Sequence, residues 1–169
     1  MRHIPDLAGS EAELLAQYLD YQRATVLAKT EGLDSAQLGY QHAPSSLTLA
    51  GLLYHLADVE ESWMEVRFLG LSEREPFTGA EFEADPDWAF HAAVNLDPDE
   101  LRQRYHDACD RSRKVVAGAA GLDQESVATF RDGRHFSLRW VLLHLIEETA
   151  RHAGHADLLR EAIDGSVGE

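Results

Sequence analysis

The sequence predicts an all-α fold: an antiparallel four-helix bundle with an irregular connection between its second and third long helices, forming a single domain over residues 1–169. Three observations predict it. Four long segments repeat their apolar residues at the helical spacing of three and four. Each of these segments opens on a residue suited to cap a helix N-terminus. The last segment holds an unbroken three-four seam from Leu138 to Ala162, the pattern of a helix that faces a bundle core.

The first helix begins at Ser10, where SEAE has the form of a capping box between Ser10 and Glu13. Its apolar residues Leu15, Tyr18, Leu19 and Val26 keep the helical period, and it is expected to stop near Gly32. A short helical turn follows from Asp34 to Leu38, then a loop through Pro44, Ser45 and Ser46. The second long helix spans about Thr48 to Leu69, with Leu52, His55, Leu56, Val59 and Trp63 on one face and Gly70 at its end. Residues 71–96 are broken by Pro76, Gly79 and Pro86. That stretch still carries Phe77, Phe82, Trp88 and Phe90, so it is expected to pack over the bundle rather than hang as a linker.

The third long helix starts with Asp97 as N-cap and Pro98 in the first turn, where a missing N–H costs nothing. Asp99 and Glu100 suit the positive end of its dipole, and Leu101, Tyr105, Ala108, Ser112 and Val115 form its stripe to about Ala119. Val127–Phe130 and His135–Phe136, around the turn at residues 131–134, make a candidate hairpin. The fourth long helix runs from Ser137 to about Ile163, before Gly165.

Composition excludes several functions. Thirty Asp and Glu stand against 15 Lys and Arg, a net charge of −15, and no basic stripe escapes that average. Such a surface repels phosphate backbones and anionic lipid, so neither nucleic acid nor membrane is an expected partner. No stretch approaches the roughly 20 apolar residues of a membrane span. Cys109 is the single cysteine, which rules out an intramolecular disulfide, and the opening MRHIPDLAGSEAELL lacks a signal-peptide core; a cytoplasmic location is the expectation. Cys109 itself reads as a half-buried structural thiol. The chain has no H-E-x-x-H, no paired Glu-x-x-His of a ferritin-like di-iron site, no phosphate-binding glycine loop and no G-x-S-x-G.

The chemistry lies in the middle of the last seam. Leu138, Val141, Leu145, Glu148, His152, His155, Leu159 and Ala162 place one carboxylate and two imidazoles between aliphatic ends. Burying such groups costs several kcal/mol unless they are paired or ligate a metal. Glu148 and His152 are four apart, so both can reach one ion. His55 sits on the apolar face of the second helix and can meet them across the bundle. Two imidazoles and a carboxylate, with positions left for water, suit a catalytic-type site for zinc or a similar first-row metal. The competing readings are a core histidine at His55 and a buried ion pair between Glu148 and His152. His155, one turn further, is the candidate for proton transfer or for orienting a ligand. His144 lies at the edge of the seam; Arg151 and Arg160 either hold an anionic substrate or pair with Glu147 and Glu161.

The stretches SLTLAGLLYHLADVEESWM and SLRWVLLHLIEETARHAGHADLLREAIDG, with DYQRATVLAKTEGL before them, resemble the DinB-like superfamily of metalloenzymes, in the branch of the mini-circle protein. The resemblance covers nearly the whole chain. It implies an antiparallel four-helix bundle whose metal is held by one His of the second helix and two residues four apart on the last, here His55, Glu148 and His152. Many relatives carry His at the position of Glu148, whereas the related mycothiol-dependent maleylpyruvate isomerases carry Glu, which makes the present set similar to theirs. Other relatives are S-transferases that use mycothiol or bacillithiol. The sequence ends at Glu169, directly after the bundle, so the isomerase reaction is not carried over.

The expectation is therefore a divalent-metal-dependent enzyme acting on a small molecule, a thiol-cofactor S-transferase or isomerase of the mycothiol type. Zinc is the favoured ion, with nickel, iron and manganese as alternatives. The rival is a non-catalytic metal-binding module or a bundle that dimerises as a homodimer.

Overall fold

The computed structural model describes residues 2–78, 84–85 and 87–167. Side-chain caps set the helix starts. Ser10 Oγ accepts from the Glu13 N–H at 3.3 Å and Glu13 Oε2 accepts from the Ser10 N–H at 2.9 Å, opening α1 (Glu11–Ala28). Asp34 caps the short α2 (Ser35–Leu38), and Thr48 caps α3 (Leu49–Glu60). The helix of α3 does not stop at Glu60 but widens into a π-helix over Glu61–Phe68, with Gly70 (φ 73°) turning the chain away. A short α4 (Trp88–Ala93) follows, then α5 (Pro98–Gly118) on its Asp97 cap. Strands β1 (Glu125–Thr129) and β2 (His135–Ser137) pair antiparallel and lead into α6 (Leu138–Asp164), capped by Ser137 and ended by Gly165 at φ 76°.

The fold is thus mostly helical rather than all-α, because the hairpin forms. Phe136 explains why. It is buried, and its N–H donates to Ser126 Oγ at 2.9 Å, which joins the strands over the end of α6. Among the described residues, no helix is long and apolar enough to cross a membrane.

Contacts fix the helix directions. Arg139 at the start of α6 reaches Glu11 at the start of α1, and Lys29 just past α1 reaches Asp157 late in α6, so these neighbours run parallel. Tyr54 meets Arg104 and Glu60 meets Ser112, so α3 and α5 also run parallel. His55 meets Glu148 and Trp63 meets Trp140, so α3 opposes α6. Asp20 meets Arg113 and the Thr30 carbonyl meets Arg102, so α1 opposes α5. The wholly antiparallel arrangement expected from the sequence is corrected: two parallel pairs oppose each other. The connection from residue 69 to 97 causes this, because it returns the chain to the end from which α3 began, a long crossover in place of a short hairpin loop.

The predicted core stripes are buried at Leu138, Val141, Leu145 and Leu159 of α6 and at Leu101, Tyr105, Ala108 and Ser112 of α5. Ala162 is exposed instead. A straight helix drifts about 20° per heptad against a strict seven-residue repeat, so the far end of the seam turns out of the core.

Of the aromatics in the broken connection, Phe77 and Trp88 pack on Tyr54, with ring centroids 5.4 and 5.7 Å away. Phe82, Gly79 and Pro86 lie outside the described residues. Phe90 of α4 lies over Gly51 of α3 so closely that a Cβ there would stand 2.7 Å from its Cγ. Gly51→Ala is therefore expected to destabilise the protein by about 1–3 kcal/mol, the usual cost of overpacking, despite the better helix propensity of alanine. Urea unfolding checks this. The double variant Gly51→Ala, Phe90→Ala is to lose less than the sum of the singles; simple additivity would refute the contact.

Candidate metal centre

Two helices build the site. Glu148 and His152 stand one turn apart on α6, and α3, running the other way, presents His55 to them. Glu148 Oε1 lies 3.2 Å from His55 Nε2 and 3.3 Å from His152 Nε2. One donor atom from each of the three residues falls within 4.8 Å of the others. Bonds of about 2.0–2.2 Å to a tetrahedral first-row ion put neighbouring donors about 3.3–3.6 Å apart. The two spacings to Glu148 Oε1 are close to that, and one donor atom of each residue lies within 4.8 Å of the others, so the three side chains could hold an ion. The side chains remain partly open, at 27% for His55, 21% for Glu148 and 12% for His152, which leaves room for a ligand to approach.

The electrostatics agree with a carboxylate kept ionised. Hydrogen bonds from His152 first, then His55, hold the Glu148 carboxyl far below the usual carboxylate range against the opposing effect of burial. No thiol joins the group. Cys109 is buried on α5, and desolvation, then the nearby Glu60, push its thiol up to about 12, which leaves it inert.

His155 touches the site from behind. Its Nδ1 lies 3.3 Å from His152 Nδ1, the ring nitrogen that does not face Glu148, and burial and the neighbouring His152 lower its pKa. His144 belongs to an aromatic cluster. It stacks on Trp140 at 5.3 Å and meets Trp63 edge-on at 4.4 Å, and burial lowers its pKa. Arg151 pairs with Glu147, with its Nε 3.9 Å from Glu148 Oε2. Arg160 pairs with Asp164 rather than Glu161 and also donates to the carbonyls of Lys29 and Glu31.

Sequence reasoning missed two neighbours of His55. Phe90 lies nearly parallel to its ring, with centroids 6.1 Å apart. Gly51, one turn before His55, was the signal for such a close approach. Asp58, one turn after His55, has its carboxyl pushed up to about 6, by burial first. The spacing of HLAD held that signal, but no pattern distinguished it from a solvated acid.

Comparison with known proteins supports the fold and the family. Residues 14–165 match the family model described as mycothiol-S-transferase. No curated protein matches the chain. Among solved structures, a conserved protein from Enterococcus faecalis superposes with a TM-score of 0.72 at 15% identity, covering 94% of this chain and 100% of that one. The mycothiol-dependent maleylpyruvate isomerase superposes with a TM-score of 0.62 at 17% identity over 86% of this chain. A histidine-to-alanine variant of that isomerase gives 0.59 at 14% identity. The present chain spans 60% of the isomerase, and at these identities the likeness is one of fold.

Proposed function

The chain belongs to the mycothiol-S-transferase family, and from that premise we propose that it is a divalent-metal-dependent enzyme that joins a low-molecular-weight thiol of the mycothiol type to a small electrophile. The four long helices, taken as one bundle and one domain over the whole chain, hold the site. The observation that supports the reading is the convergence of one donor atom each from His55, Glu148 and His152 within 4.8 Å, with Glu148 Oε1 3.2 Å from His55 Nε2 and 3.3 Å from His152 Nε2. Zinc suits two imidazoles and one carboxylate with an open position; nickel, iron and manganese accept the same donors.

A bound ion of this kind supplies the Lewis acidity that turns a thiol into a thiolate at neutral pH. The protein residues do the rest. Glu148 would contribute the single negative charge of the donor set, so a divalent ion held there would keep a net positive charge. His155 orients His152: when His152 Nδ1–H donates to His155 Nδ1, the lone pair of His152 Nε2 points at the other donors. In that arrangement His155 carries its own proton on Nε2 and its Nδ1 is occupied by His152, so His155 serves as an orienting group. Phe90 gives the His55 side of the site an apolar wall. The thiol proton leaves to solvent, and the sulfur–carbon bond forms as a carbon–carbon π bond of the electrophile opens and its other carbon takes a proton from solvent, or as halide leaves an aryl halide.

The test uses protein purified without a histidine tag or chelator. Elemental mass spectrometry is expected to find about one equivalent of a first-row metal, as a three-ligand site of this type takes. Thiol consumption in the presence of an activated aryl halide is expected to stop when a chelator is added. Protein that holds no metal and takes up neither zinc nor nickel would overturn the reading. Metal held without any thiol transfer would favour the non-catalytic module.

A further inference from the structure

The arginines of the long helices are almost all neutralised locally. Arg23, Arg102, Arg104, Arg111, Arg113, Arg139, Arg151 and Arg160 each pair with a carboxylate. Arg67, in the π-helical turn, has no ion-pair partner among the described residues. In a chain with 30 acids to 15 bases, carboxylates are not scarce, so an unpaired arginine beside the site calls for a reason.

Arg67 is nevertheless held in place. Its Nη1 donates to Ser62 Oγ at 2.6 Å, and its guanidinium lies 4.5 Å from the centre of the Trp63 ring. Among the described residues, Nε and Nη2 have no hydrogen-bond partner. The surface between Arg67 and the metal centre is aromatic. Trp63 meets His144 at 4.4 Å, and His144 lies one turn before Glu148 on α6. Trp140 stacks on His144 with its ring 12° from parallel, and it stays 39% exposed. An exposed indole costs hydration free energy that a flat ligand would recover. The adjoining apolar surface also strengthens the pull of the guanidinium, since charge interacts more strongly where water is displaced.

We propose that Arg67 and the Trp63–His144 surface form the subsite for the electrophile, which is a small, flat, unsaturated or aromatic carboxylate. The carboxylate is held by Arg67, and the planar body lies on the aromatic wall with its reactive carbon toward Glu148 and His152. This rests on the reading of the metal centre given above and names its substrate class.

The probes are trans-cinnamate and its neutral amide, cinnamamide, titrated calorimetrically into zinc-loaded and metal-free protein. Wild type is expected to bind cinnamate about tenfold or more tightly than cinnamamide, the scale of a charge-assisted hydrogen bond. Arg67→Gln should abolish that preference and leave cinnamamide binding as it was; Arg67→Lys should keep part of it. Equal binding of the two probes, no binding of either, or a preference that survives Arg67→Gln would overturn the subsite. A preference seen only with zinc and retained in Arg67→Gln would place the anion on the ion, which also overturns it. The two readings fail separately. If the metal centre is wrong, zinc uptake is absent while the Arg67-dependent preference persists. If the subsite is wrong, zinc uptake is intact and the preference does not depend on Arg67.

Discussion

Alanine at His152 is expected to strip the protein of its metal while leaving it folded. In the proposed site the imidazole is one of three donors, and its Nδ1 also meets His155. Residues that merely orient a ligand are worth about 10–100-fold in metal affinity, so loss of the ligand itself should exceed that range. His155→Ala should fall within it, since His155 touches His152 at Nδ1 and not at the Nε2 that faces Glu148. Calorimetric titration with zinc, beside far-ultraviolet circular dichroism, reads both quantities. The dichroism is expected to be unchanged: His152 already lies partly open, and Leu145, Ala153, Ala156 and Leu159 keep the packing of α6. Wild-type zinc affinity in His152→Ala would sink the ligand assignment. Equal losses in the His152 and His155 variants would make His155 a fourth ligand instead of an orienting group.

The convergence of His55, Glu148 and His152 was readable because these residues violate a pattern. A seam that should be aliphatic holds Glu148, His152 and His155, and the facing helix holds His55 among leucines, so hydrophobic periodicity itself exposes the exception. Helix starts were readable for a local reason, since Ser10, Thr48, Asp97 and Ser137 each bond to an N–H within three residues. Long-range effects were hidden. Glu60, Glu61 and Glu65 look like a solvated stretch at the end of a helix, yet all three are buried. Their partners are Arg23, Arg74 and Arg111, which lie on other segments of the chain, and no local rule pairs them. Glu61 and Glu65, four apart in the π-helical segment, meet one guanidinium, that of Arg111, at 3.1 and 2.7 Å. Helix direction was legible in principle, because a connection as long as residues 69–97 can recross the bundle, but its length alone does not say that it does.

Replacing Arg23 by methionine is expected to destabilise the fold by about 3–5 kcal/mol, the cost of breaking a buried ion pair from one side. Arg23 Nε and Nη2 donate to the two oxygens of Glu60 at 2.7 and 2.6 Å, and Ser112 Oγ adds a third bond at 2.6 Å. Glu60 is 1% exposed, so without the guanidinium its carboxylate is left with one hydroxyl and almost no water. The reverse change is expected to cost less. In Glu60→Gln, Arg23 keeps Asp20 at 2.8 Å, and Asp20 is open enough to share its charge with solvent. Replacing the pair together, as Arg23→Met with Glu60→Leu, should recover much of the loss, because two apolar side chains need no partner. Urea midpoints at constant slope measure all three. A loss below about 1 kcal/mol in Arg23→Met would mean that solvent reaches Glu60 after all. The consequence extends to the site. Glu60 lies little more than one turn from His55, and its network ties α3 to α1 and α5 at once. That tie fixes the rotation of α3 about its axis, and so which of its faces is turned toward Glu148 and His152.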